Sequence, residues 1–68
     1  MNYKVLKTKQ IGNKYVFAKV EKLERDESGL TFPTGQTAEN FGGFKHARHF
    51  NYMAARKLAI QNAVAMLK

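Results

Sequence analysis

Two runs near the start of the chain, residues 3–11 and 14–24, alternate apolar and polar side chains. That period of two marks strands with two different faces. Val, Ile, Tyr, Phe and Thr are frequent in both runs, and these types fit a pleated surface. Gly12-Asn13 stands between the runs. A Gly at the first central position suits a two-residue type II′ turn, whose twist matches that of the strands. This register sets Val5 opposite Val20 and Lys4 opposite Glu21, a favourable cross-strand charge pair. One face then carries Tyr3, Val5, Val16, Ala18 and Val20, with Lys7 and Lys9 toward the turn. The other carries Leu6, Tyr15, Phe17 and Leu23 among Lys4, Thr8, Gln10 and Lys19. Such a hairpin can bury the first face and use the second.

Asp26-Glu27-Ser28-Gly29 is a turn signal. Leu30-Thr31-Phe32 predicts a short third strand, stopped by Pro33 because proline has no N–H for a ladder. Residues 34–43 are rich in Thr, Gly, Asn and Gln and read as a loop. Residues 44–50 alternate Phe44, His46, Arg48 and Phe50 against Lys45, Ala47 and His49, which predicts a further strand.

Residues 51–67 are the clearest helix. Ala recurs at 54, 55, 59, 63 and 65, and Leu, Met, Lys, Arg and Gln fill most other positions. Asn51 suits the N-cap. At 100° per residue, Tyr52, Ala55, Leu58, Ala59, Ala63 and Met66 form one apolar stripe. Met53, Ile60, Val64 and Leu67 form a second. A surface helix needs one stripe little more than about 100° wide. The second stripe therefore calls for a second copy of the chain, packed helix to helix as a homodimer, or for the 33–44 loop folded over it. The expected fold is α+β: a small antiparallel sheet, made of the N-terminal hairpin plus a third strand, packed on one long C-terminal helix.

Length and charge narrow the class. A chain of 68 residues makes one domain. Without Cys it has neither a disulfide framework nor a thiolate metal site. No apolar run reaches membrane-spanning length, and residues 1–5 lack a signal-peptide core, so a cytoplasmic, non-membrane protein is expected. The net charge of +7 is unevenly placed: +5 over residues 1–20, −3 over 21–43 and +5 over 44–68. An acidic connector on the far side of the fold leaves a one-sided basic surface, suited to a polyanion or an acidic protein surface.

Catalytic chemistry is not indicated. His46 and His49 have an H-x-x-H spacing, but no carboxylate or Cys follows to complete a metal site, and Lys45 and Arg48 repel a cation. Gly42-Gly43 matches no phosphate-loop pattern. Ser28 has no triad partners, and the acids cluster in a hydrophilic turn instead of pairing for acid–base work. No enzyme activity, metal or cofactor is expected. The Lys45–His49 cluster between Phe44 and Phe50 suits phosphate contacts beside aromatic rings. Tyr15 and Phe17 among Lys4, Lys14 and Lys19 suit base stacking with phosphate neutralisation, and equally suit a core under a helix.

From Arg56-Lys57 through Ala59, Ala63 and Ala65 to Leu67 the chain resembles the last helix of double-stranded RNA-binding domains. The preceding order of Tyr3-Lys4-Val5, a Gly turn and Tyr15-Val16-Phe17 is similar to that family's strands. The family's first helix has no counterpart, and Asn51-Tyr52-Met53-Ala54 replaces its basic run. The resemblance implies a βββα topology, RNA as partner, and phosphate contacts from Arg56 and Lys57. The leading function is thus a small basic nucleic-acid-binding module, for RNA or DNA. Its expected contacts are Lys4, Lys7, Lys9, Lys14, Tyr15, Phe17, Lys19, Lys45, His46, Arg48, His49, Arg56 and Lys57. The alternative is a small non-enzymatic inhibitor or adaptor that docks on a host protein complex; phage-encoded anti-CRISPR proteins are similar in size and style.

Overall fold

The computed structural model describes residues 2–44 and 48–68. Three strands, β1 (Asn2–Ile11), β2 (Tyr15–Arg25) and β3 (Thr31–Gly43), precede one helix, α1 (Tyr52–Ala65). The strands form an antiparallel meander in the order β1-β2-β3. The helix packs on one face of this sheet, an α+β fold as the sequence pattern predicts. The molecule is elongated, 48 × 17 × 16 Å.

The hairpin pairs as expected at its open end: Val5 lies opposite Val20 and Lys4 opposite Glu21. From Lys7 onward the register moves by one residue, with Lys7 opposite Lys19 and Lys9 opposite Phe17. Leu6 is the extra residue, a β-bulge in β1. The connection is consequently Gly12-Asn13-Lys14, three residues and not two, with Gly12 at φ 61°. The bulge also swaps the faces of the rest of β1, because side chains alternate with a period of two. Thr8 and Gln10 oppose Ala18 and Val16 on the helix side, while Lys7 and Lys9 turn to the other face.

The predicted loop at residues 34–43 is instead most of β3, and Pro33 does not end the strand. β3 is an edge strand, where a missing N–H is tolerated. Thr34, Gly35 and Gln36 lie opposite the single residue Lys22. Gly35 supplies the positive φ of 79° that this bulge requires. Side chains pin it: Thr34 Oγ1 donates to the Lys22 carbonyl at 2.7 Å, and the Gly35 N–H donates to Glu21 Oε2 at 3.0 Å. The ladder then resumes from Thr37 opposite Glu21 to Gly43 opposite Tyr15.

The predicted strand at residues 44–50 does not form at Phe44 or at Arg48–Phe50, and residues 45–47 lie outside the described part. Helix α1 starts where expected. Asn51 is extended at φ −112°, ψ 100°, and its Oδ1 accepts the Ala54 N–H at 3.1 Å.

The core consists of Val16, Ala18, Val20 and Ala38 from the sheet and Ala55, Ala59, Ile60, Ala63 and Leu67 from the C-terminal segment. Its small side chains bring helix and sheet close together. A Cβ on Gly42 would fall on the Ala59 backbone N, 2.6 Å from the Ala55 carbonyl oxygen. The two helical stripes are divided differently from the sequence pattern. Ala55, Ala59 and Ala63 are fully buried, whereas Tyr52 and Met66 at the ends of that stripe are exposed. Ile60 and Leu67 of the second stripe join the same core, Val64 is half-buried against it, and Met53 stays 69% exposed. Residues 31–43, forming β3, do not fold over the second stripe as a loop.

Candidate functional site: the open face of the sheet

Only one face of the sheet carries the helix. Val16, Ala18 and Val20 point to it, so Tyr15, Phe17, Lys19 and Glu21 project from the opposite face. Across the three strands this face reads as four rows: Lys4–Glu21–Thr37, Lys7–Lys19–Glu39, Lys9–Phe17–Phe41 and Ile11–Tyr15–Gly43. Neighbouring strands lie about 4.8 Å apart, so each row is a contact set.

The aromatic part is built by strand pairing. Phe17 lies beside Phe41, ring centroids 5.5 Å apart at 58°, a tilted geometry that aromatic pairs favour. Phe41 remains 52% exposed and Tyr15 36%. Tyr15 leans over Gly43, where a Cβ would come within 2.5 Å of its Cδ1 atom. The glycine makes room both for this ring and for the Lys14 carbonyl, which comes closer still.

The charges are graded. β1 presents Lys4, Lys7 and Lys9 on this face with no acid, while β3 presents Glu39 beside Lys19. The acids therefore do not all withdraw to the far side of the fold: Glu21 and Glu39 stand among the lysines. Glu21 is partly engaged by the Gly35 N–H. Glu24, Asp26 and Glu27 gather around the β2–β3 turn, at the end of the sheet away from Gly12–Lys14. Asp26 holds its carboxyl below the ordinary carboxylate range. The main cause is the Ser28 hydroxyl, which donates to Oδ1 at 2.6 Å, and the Ser28 and Leu30 N–H groups add to it.

Of the residues singled out from sequence, Lys4, Lys7, Lys9, Lys19, Tyr15 and Phe17 come together here, with Lys14 exposed in the adjoining turn. Arg56 and Lys57 do not. They flank a groove of about 500 Å³ between α1 and Tyr3, with Met53 and Ile60 in its apolar wall, on the helix side. Arg48 and His49 are exposed ahead of the helix, and Lys45 and His46 lie outside the described residues. Phe41, Ile11 and Glu39 were not singled out. The usable signal was small residues at a period of two, Ala38 and Gly42, facing an Ala-rich helix; it places Glu39, Phe41 and Gly43 on the opposite face.

Among the described residues no group of three or more His, Cys, Asp or Glu side chains could hold a metal ion. No described helix is long and apolar enough to cross a membrane. No known protein family matches the chain, and neither a characterised protein nor a solved structure shows significant similarity to it. What the fold and site define is a three-stranded sheet braced by one helix, with an open aromatic and lysine-rich face.

Proposed function

We propose that the protein binds nucleic acid through the open face of its sheet, mainly by phosphate contacts. The observation that carries this reading is the juxtaposition of Lys7, Lys9 and Lys19 with the Phe17–Phe41 pair, of which Phe17 is half-buried and Phe41 exposed. Lys7 and Lys19 stand directly opposite each other. Like charges in that position destabilise a sheet, and an anion bound between them relieves the repulsion. The overall charge of +7 favours encounter with a polyanion.

The test is a salt titration of binding, followed by anisotropy of a labelled oligonucleotide. Lys4, Lys7, Lys9, Lys14 and Lys19 together neutralise enough phosphates for affinity to fall roughly 10²–10³-fold between 50 and 200 mM salt. A flat titration, or no binding at low salt, overturns the reading. Capture of a protein from lysate that persists after nuclease treatment, with no oligonucleotide binding, favours the inhibitor or adaptor role instead.

A further inference from the structure

We infer that the nucleic acid is single-stranded, with its sugar–phosphate backbone along β1 and its bases on the rings of β2 and β3. This rests on the phosphate-binding reading above and specifies its substrate. Two asymmetries of the open face lead to it.

The first is chemical. Phosphate contact with a duplex needs cations but no exposed rings, because the bases are stacked inside the helix. Here three rings, Tyr15, Phe17 and Phe41, share one face of the sheet next to the lysines. Unstacked bases lie on such rings whatever their identity, since every base has a π-face.

The second is electrostatic and runs across the strands. Lys4, Lys7 and Lys9 form a rail on β1 free of acids, whereas the β3 side of the face carries Glu39. A phosphate chain is attracted to the first edge and repelled from the second. Lys7 and Lys9 are two residues apart on one strand, about 6.8 Å, comparable to one extended nucleotide. The rings of Tyr15 and Phe17 are spaced the same way along β2. A strand running parallel to β1 therefore meets lysines at the Lys7 and Lys9 rows and rings at the Lys9 and Tyr15 rows, with both in the row Lys9–Phe17–Phe41. The two acid-free rows, Lys9–Phe17–Phe41 and Ile11–Tyr15–Gly43, hold about two nucleotides, the lower of the numbers that comparable aromatic sheets stack.

The experiment compares labelled oligothymidylate and oligouridylate with the same strands annealed to their complements, at 50 mM salt. Single strands are expected to bind roughly tenfold or more tightly than duplexes. Phe17→Leu and Phe41→Leu are each expected to weaken single-strand binding at least about fivefold, with an unchanged salt slope. Tyr15→Phe, which keeps the ring, retains affinity but removes the quenching of tyrosine emission by bound strand. Equal binding of single strands and duplexes, indifferent to the ring variants, overturns the single-strand assignment and leaves phosphate binding standing. No binding of either form overturns both.

Discussion

Gly42 of β3 lies against the backbone of Ala59 on α1, so closely that a Cβ on Gly42 would fall on the Ala59 nitrogen and 2.8 Å from its Cα. Both obstructing atoms belong to main chain, which cannot rotate away. Gly42→Ala must therefore lift the helix off the sheet and open the contacts of Ala55, Ala59 and Val16. Overpacking of this kind costs about 3 kcal/mol, near the top of its usual range. A single core in a chain this small supplies only about 3–5 kcal/mol. Urea unfolding followed by far-ultraviolet circular dichroism should show Gly42→Ala only marginally folded at 25 °C, with a midpoint close to zero urea; a midpoint like that of the wild type would show that the helix does not rest on Gly42.

Asn51 caps α1 through one side-chain hydrogen bond, to the Ala54 N–H. The first turn of the helix has no acidic residue to favour the positive end of its dipole. Asn51→Ala should lower stability by about 1 kcal/mol. Asn51→Asp keeps the acceptor and adds a negative charge, so it should match or exceed the wild type, by up to about 1 kcal/mol at low salt. Thermal unfolding of the three proteins in low and high salt separates the hydrogen bond from the charge.

The hairpin, the helix and its cap were legible because each has a local cause: alternation, a glycine turn, an Ala-rich run behind Asn51. The site was only half legible, because Leu6 leaves no local mark. In an unbroken hairpin Lys7 and Lys9 would face the helix; the bulge at Leu6 delivers them to the open face beside Lys19 and Phe17. β3 was hidden by composition. Its Gly, Asn and Pro residues have poor strand propensity, and the strand is held by pairing with β2 and by α1 pressing on Ala38 and Gly42. Such tertiary support overrides local preference. The helix's second apolar stripe is divided by the fold: β3 adds a third strand to the sheet, Ile60 and Leu67 sink into the same core as Ala59, and Met53 stays exposed.

Asp26 organises the β2–β3 turn as a carboxylate, accepting from Ser28 and Leu30. Its folded pKa is below the ordinary value of 3.8, so the unfolded chain takes up the proton first. The stabilisation is present above about pH 4 and is lost as pH falls through the folded pKa. The group is fully exposed, so the effect is small. Asp26→Ala should lower the urea midpoint at pH 6 and leave it nearly unchanged at the acid end. An equal loss at both ends would show that the carboxylate charge plays no part in holding the turn.

The two basic regions lie on different sides of the molecule, and binding should distinguish them. Lys7 and Lys9 stand on the open face beside the rings, whereas Arg56 and Lys57 flank the groove on the helix side. For a single strand, each lost phosphate contact lowers the salt slope by about 0.7. Lys7→Gln with Lys9→Gln should therefore reduce the slope by about 1.4. Arg56→Gln with Lys57→Gln should change it little, since what remains is long-range attraction screened within about 10 Å at 0.1 M salt. Glu39→Gln removes the one acid on the β3 side of the Lys7 row, and it should tighten binding at low salt. If the helix pair lowers the slope as much as the sheet pair, the nucleic acid wraps the edge of β1 or sits in the groove. The double-stranded RNA-binding resemblance, which places its contacts at Arg56 and Lys57, would then be the better guide to the surface used.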